Sequence, residues 1–173
     1  MSKNTEKLED CKAEFINRWG VMGSQWGINR TMAQVHALLM ISPDPLSTDQ
    51  VMEELEISRG NAHTSLKELV GWNLLTILTK KGDRKEYFEA EKDVWGIFQA
   101  VTKERMRREI DPALQVLENC VEETKDLKGR DAEAFHNQMK DLADFVSLAS
   151  SLGTKANSMA QSKAMQLALK IIK

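Results

Sequence analysis

The chain of 173 residues holds little that would staple it, bind a metal or cross a membrane. It has two cysteines, Cys11 and Cys120, far apart in sequence. Neither lies in a CxxC pair or near a histidine at ligand spacing, which excludes a zinc-binding motif and a disulfide framework and points to a reducing compartment, the cytoplasm. Both thiols read as buried or inert rather than as redox switches. No apolar run approaches about 18 residues, so no membrane-spanning helix is expected. The first residues, MSKNTEKLEDCKAEF, lack the apolar centre of a secretory signal. Charge of neither sign dominates: the net charge is -2, so any nucleic-acid surface must be local rather than general. Glycine-rich phosphate loops and nucleophile elbows are missing, and His36, His63 and His136 carry no acid or metal partner motif. No catalytic centre, metal site or cofactor is therefore expected. Aromatic residues are few and unevenly chosen, with four tryptophans against one tyrosine.

What is present is helical periodicity. Leu8, Phe15, Trp19, Met22 and Trp26 recur at three-, four- and seven-residue steps, which predicts an amphipathic helix over about 5–26. Asn29 can cap a second helix with Met32, Val35, Leu38 and Leu39 inside, ended by Pro43 and Pro45. Ser47 with Gln50 is a capping box, and Leu46 with Val51 a hydrophobic staple, for a short third helix with Val51, Met52 and Leu55 buried. A tight turn leads to Ser58, the cap of a helix over about 59–72 with Ala62, Leu66, Leu69, Val70 and Asn73 on one side. Two short helices joined by a three-residue turn form a helix-turn-helix. The period then changes to two on either side of Lys81-Gly82-Asp83-Arg84, which predicts a two-stranded hairpin with a basic tip. Beyond Asp93 the pattern is helical again. Asp111-Pro112 is expected to kink or restart a helix. Gly129 and Gly153 mark breaks, Phe135, Met139, Leu142, Val146 and Ala149 form one stripe, and Met159, Leu167 and Ile171 belong to a last helix. The fold expected is mainly α with a small β-hairpin: a winged helix-turn-helix with helical dimerisation extensions. Its parts are an N-terminal packing helix (1–28), the winged domain (29–92) and a C-terminal helical dimerisation region (93–173).

The segment from Ile57 to Leu75, ISRGNAHTSLKELVGWNLL, resembles the recognition-helix region of GbsR-type regulators, relatives of the MarR family, and GDRKEYFEAEKD from Gly82 to Asp93 resembles their wing. The similarity covers roughly residues 46 to 98. It implies a MarR-like dimeric winged-helix repressor of transcription, in some cases responsive to small molecules such as choline. One departure stands out: Lys85 occupies the place of the arginine in the Asp-x-Arg of MarR wings, with Arg84 beside it. The Asp–Arg pairing inside the wing is therefore expected to differ.

The residues support a DNA-binding reading independently. From Ser58 to Lys85 there are six basic residues and two acidic ones, a local +4 in a chain of net charge -2. A basic reading head on an acidic body suits sequence-selective binding of double-stranded DNA. Asn61 can bond adenine in bidentate fashion, Thr64 can meet a thymine methyl, and Arg59 can reach guanine or phosphate. Ser58 caps the helix and, with the helix N-terminus, can hold a phosphate. Gly60 removes bulk beside the DNA, and His63 and Lys67 flank the reading face. Lys80, Lys81, Arg84 and Lys85 would lie against phosphates or in the minor groove. A winged helix that binds protein instead of DNA is the rival reading. Trp19, Trp26, Trp72 and Trp95 read first as packing residues. With the resemblance in view they also read as an effector site, an aromatic cage for a quaternary ammonium ligand. Apolar stripes in excess of what one small domain covers predict a homodimer whose two-fold symmetry matches a palindrome.

Overall fold

The computed structural model describes residues 3–160, with side chains through Gly153. The chain divides into two compact units, the boundary falling between Ala100 and Val101.

The first unit opens with α1 (Lys3–Gln25), which packs along α2 (Arg30–Ile41). Two buried glycines explain how closely. A Cβ on Gly20 would stand 2.6 Å from Cγ of Gln34, and one on Gly23 would stand 2.5 Å from Cβ of Ala33. Asn29 caps α2 as expected, its side chain accepting from the Met32 N–H. At the other end Lys92 Nζ donates to the carbonyls of Leu39, Met40 and Ser42 at 3.0, 2.9 and 2.6 Å. An ammonium there satisfies orphan carbonyls and complements the negative end of the helix dipole.

After Pro45 come β1 (Leu46–Ser47), α3 (Thr48–Leu55) and α4 (Arg59–Gly71), then β2 (Leu75–Thr79) and β3 (Glu86–Ala90). The expected two-stranded hairpin is a three-stranded antiparallel sheet in the order β1-β3-β2. Leu46 pairs with Phe88 and Ser47 with Tyr87. Two residues leave no alternation to read, so β1 was invisible in the sequence pattern. Val35, Leu39, Val51, Leu66 and Leu69 form the centre of the core, closed by Leu74, Leu75, Phe88 and Ala90. Met52 and Leu55 are only half-buried. Asn73 does not share the buried face of α4. It is exposed with φ 58°, and the bonds Asn73 N–H to Val70 O and Leu74 N–H to Leu69 O close a Schellman turn around it. Asparagine tolerates that left-handed position; Ser65 is buried in its place.

The second unit holds the end of α5 (Val94–Arg105), a π-helical turn (Met106–Ile110), α6 (Asp111–Thr124) and α7 (Arg130–Ala160). A new α-helical segment does start at Asp111 with Pro112 in its first turn, but Asp111 has helical backbone angles rather than those of a cap. Its N–H reaches back five residues to Met106 O. Pro112 offers no N–H and its ring would strike the carbonyl four residues back, so the ladder widens by one residue ahead of it. Gly153 does not break α7, since a helix tolerates one glycine at a modest loss. Leu167 and Ile171 lie outside the described residues. The stripe expected on α7 is two faces. His136, Met139, Ala143 and Val146 turn inward, with His136 Nδ1 2.9 Å from Thr124 Oγ1 on α6. Phe135, Leu142, Phe145, Leu148, Ala149 and Leu152 are exposed.

Candidate nucleic-acid interface

The site is assembled by three local devices. Ser47 Oγ accepts from Gln50 N–H at 3.4 Å while Gln50 Oε1 accepts from Ser47 N–H at 2.9 Å, the reciprocal capping box that starts α3. Glu56 ends α3 in the left-handed region at φ 52°, and Ile57 N–H bonds back to Met52 O. Ser58 then takes an extended conformation and its Oγ accepts from Asn61 N–H at 3.3 Å, which starts α4.

Ala62, Ser65, Leu66 and Leu69 anchor α4 to the core. The same winding turns Arg59, Gly60, Asn61, His63, Thr64 and Lys67 to solvent. A Cβ on Gly60 would meet nothing within 4 Å, so no internal contact requires glycine there. The β2–β3 turn carries Lys80, Lys81, Arg84 and Lys85, all exposed, and Gly82 occupies φ 85°. Asp83 organises the turn: Oδ1 accepts from Lys85 N–H at 2.9 Å and Oδ2 from the Tyr87 hydroxyl at 2.8 Å. These bonds hold the Asp83 carboxyl below its usual range, the Lys85 N–H first and Tyr87 second, and raise the Tyr87 phenol. Lys80 Nζ lies 3.8 Å from the centroid of the Tyr87 ring.

The departure in the wing is resolved by a residue outside it. Lys85 gives Asp83 only its backbone N–H; its ammonium lies 3.1 Å from Asp49 Oδ2, and Asp49 Oδ1 accepts from Arg59 Nη2 at 2.6 Å. One carboxylate in the first turn of α3 thus joins the first residue of α4 to the wing. Its pKa is lowered by Lys85 and then Arg59, and that of Lys85 is raised in return. Asp49 and Tyr87 were not singled out in the sequence. Asp49 is 10 residues from Arg59 and 36 from Lys85, so only the fold reveals the pairing.

The four tryptophans have different surroundings. Trp19 is half-buried, with ring centroids 5.4 Å from Phe15 and 6.4 Å from His36. Trp72 is buried, Trp26 is 57% exposed beyond the end of α1, and Trp95 meets Phe98 edge-on. A groove of about 830 Å³ runs between α1, the end of α2 and α3, lined in part by Glu9, Lys12, Leu38, Glu54 and Leu55. None of the four tryptophans is in its lining.

No family model matches the chain. Over 122 residues, 69% of this chain and 67% of the relative, it is 25% identical to the HTH-type transcriptional repressor GbsR of Bacillus subtilis (strain 168). A solved structure described as that of a transcriptional regulator superposes with a TM-score of 0.69 at 17% identity, covering 86% of this chain and 96% of that one. The resemblance to GbsR-type regulators and the winged helix-turn-helix fold are thereby borne out. No helix among the described residues is long and apolar enough to cross a membrane.

Proposed function

We propose that this protein is a sequence-specific, DNA-binding transcriptional repressor that acts in the cytoplasm as a homodimer on a palindromic operator, without catalysing a reaction. The observation that carries the reading is the adjacency of α4 and the wing. A single carboxylate touches both Arg59 and Lys85, so the start of the recognition helix and the basic turn form one continuous head. In this reading the N-terminal half of α4 enters the major groove, where Asn61 and Thr64 meet base edges and Arg59 meets guanine or phosphate. Lys80, Lys81, Arg84 and Lys85 follow the backbone or reach the adjacent minor groove, and Ser58, His63 and Lys67 flank the contact. Open space at Gly60 fits a helix that approaches another surface closely. The exposed apolar residues of α7 support the dimer. Phe135, Leu142, Phe145, Ala149 and Leu152 recur at three-, four- and seven-residue steps, the spacing of a helix seam.

Selection of bound fragments from a random duplex library, followed by salt titration of the winner, tests this function. The expected result is a palindromic winner bound far more tightly than random DNA at physiological salt. No enrichment, together with recovery of a protein partner, would replace the reading with that of a protein-binding adaptor. Response to a quaternary ammonium effector is tested by titrating choline or glycine betaine against tryptophan fluorescence. A saturable change reporting on Trp19, Trp26, Trp72 or Trp95 would support such a site, and its absence retires that ligand class.

A further inference from the structure

We infer that Asp49 is a specificity-determining residue, a carboxylate that occupies Arg59 and Lys85 in the free protein and withholds them from DNA phosphates wherever no base-specific contacts are gained. The inference rests on the DNA-binding reading above and deepens it. Asp49 takes the two cations on its two separate oxygens, at 2.6 and 3.1 Å. All three side chains are substantially exposed, at 47% for Asp49, 70% for Arg59 and 57% for Lys85. Ion pairs this exposed contribute little to folding, yet they sit at the centre of the surface a polyanion must approach. Lys81 and Arg84 form no ion pair among the described residues. The cations of the head therefore differ: Lys81 and Arg84 at the tip are open to any phosphate, Lys80 lies over the Tyr87 ring, and Arg59 and Lys85 at the seam are already neutralised.

Random DNA offers only phosphates to exchange for the carboxylate, and the exchange leaves Asp49 facing the backbone as an unpaired anion. An operator adds the base-edge contacts of Asn61 and Thr64, which offset that loss. Asp49 thus lowers affinity for random sequence more than for the operator. Removing its charge releases two cations that can each displace counterions from the phosphate chain, so the salt dependence steepens.

The test compares the full chain with Asp49→Asn on the selected operator and on a random duplex, each over a salt series, with thermal melts confirming that both fold. Asparagine keeps the size of the side chain and remains acceptable in the first helical turn. The expected result is random-duplex binding tightened by about three- to tenfold, a log–log salt slope steeper by about 1 to 2, and a smaller operator-to-random ratio. In an Arg59→Gln/Lys85→Gln background the same substitution should no longer steepen the slope, leaving only the smaller gain from removing an anion that faces the phosphates. Random-duplex affinity and slope equal to wild type, with operator binding intact, would overturn this role for Asp49 while leaving the DNA-binding function standing. Wild-type protein that selects no operator would overturn both. A purely structural Asp49 would shift the melting temperature and leave the slope alone.

Discussion

Asn61 and His36 illustrate how differently two polar side chains are used. Asn61 is exposed on α4 and its backbone N–H is already taken by Ser58 Oγ, leaving the amide free to face outward. Asn61→Ala should reduce discrimination between sequences by roughly 1–3 kcal/mol at one base pair while random-duplex affinity stays the same. Equal losses on both DNAs would remove it from base readout. His36 is buried on α2 beside Trp19, and burial pushes its pKa down from 6.5 to about 4. The unfolded chain takes up a proton as pH falls through about 6.5, while the folded protein stays neutral until about 4. Stability is thus complete above that window and is lost as pH falls through it, by on the order of 3 kcal/mol. Urea denaturation across the window should show the decline, and His36→Leu should flatten it. Asn61 could be found from sequence because its chemistry matches a base edge at a known place in a helix-turn-helix. His36 offered no such signal, since a lone histidine in an apolar stripe has the same spacing whether buried or not.

At the level of elements, the strong local signals were legible. The capping box at Ser47, the caps at Asn29 and Ser58 and the stripe of α2 each depend on neighbours within a turn or two and are found where they were expected, as is the stripe of α4 apart from Asn73. What escaped were features set by distant partners or by the ladder itself: the two-residue β1, the π-helical turn before Pro112 and the glycine contact of α1 with α2. That contact has a measurable consequence. Because a Cβ on Gly23 would lie 2.5 Å from that of Ala33, Gly23→Val should destabilise the first unit by about 1–3 kcal/mol through overpacking. Ala33→Gly in the same background should recover part of the loss, which a denaturant melt of the double variant measures. Full additivity of the two changes would mean the helices do not meet there.

For the molecule as a whole, α7 is apolar on two sides and a single copy covers only one of them. Phe145 is 68% exposed, an arrangement that soluble helices avoid unless a partner lies against it. Phe145→Glu should leave the fold intact and halve the mass seen by light scattering at micromolar concentration. Its affinity for a full palindrome should fall by about a hundredfold or more, because each half-site must then be filled separately. A wild-type monomer at that concentration would contradict the dimer. The excess of apolar stripe was visible in the sequence; which residues compose the second face was not. Phe135 and Leu142 were grouped with Met139 and Val146, although these two pairs lie on opposite sides of the boundary between exposed and covered surface.

The widened turn at Met106–Ile110 lets the helix hold one residue more without changing which way the following side chains face. Each residue of a regular helix advances the azimuth by about 100°. Deleting one residue between Met106 and Ile110, with Pro112→Ala to remove the ring that opens the ladder, would convert the turn to an ordinary helix. The step lost and the tightening of the turn nearly cancel, so Leu114, Leu117 and Val121 would keep their azimuth relative to Glu104, which is buried and held near pKa 2 by Arg107 and then Arg108. Related chains should therefore gain or lose one residue in this turn more readily than elsewhere in the helix.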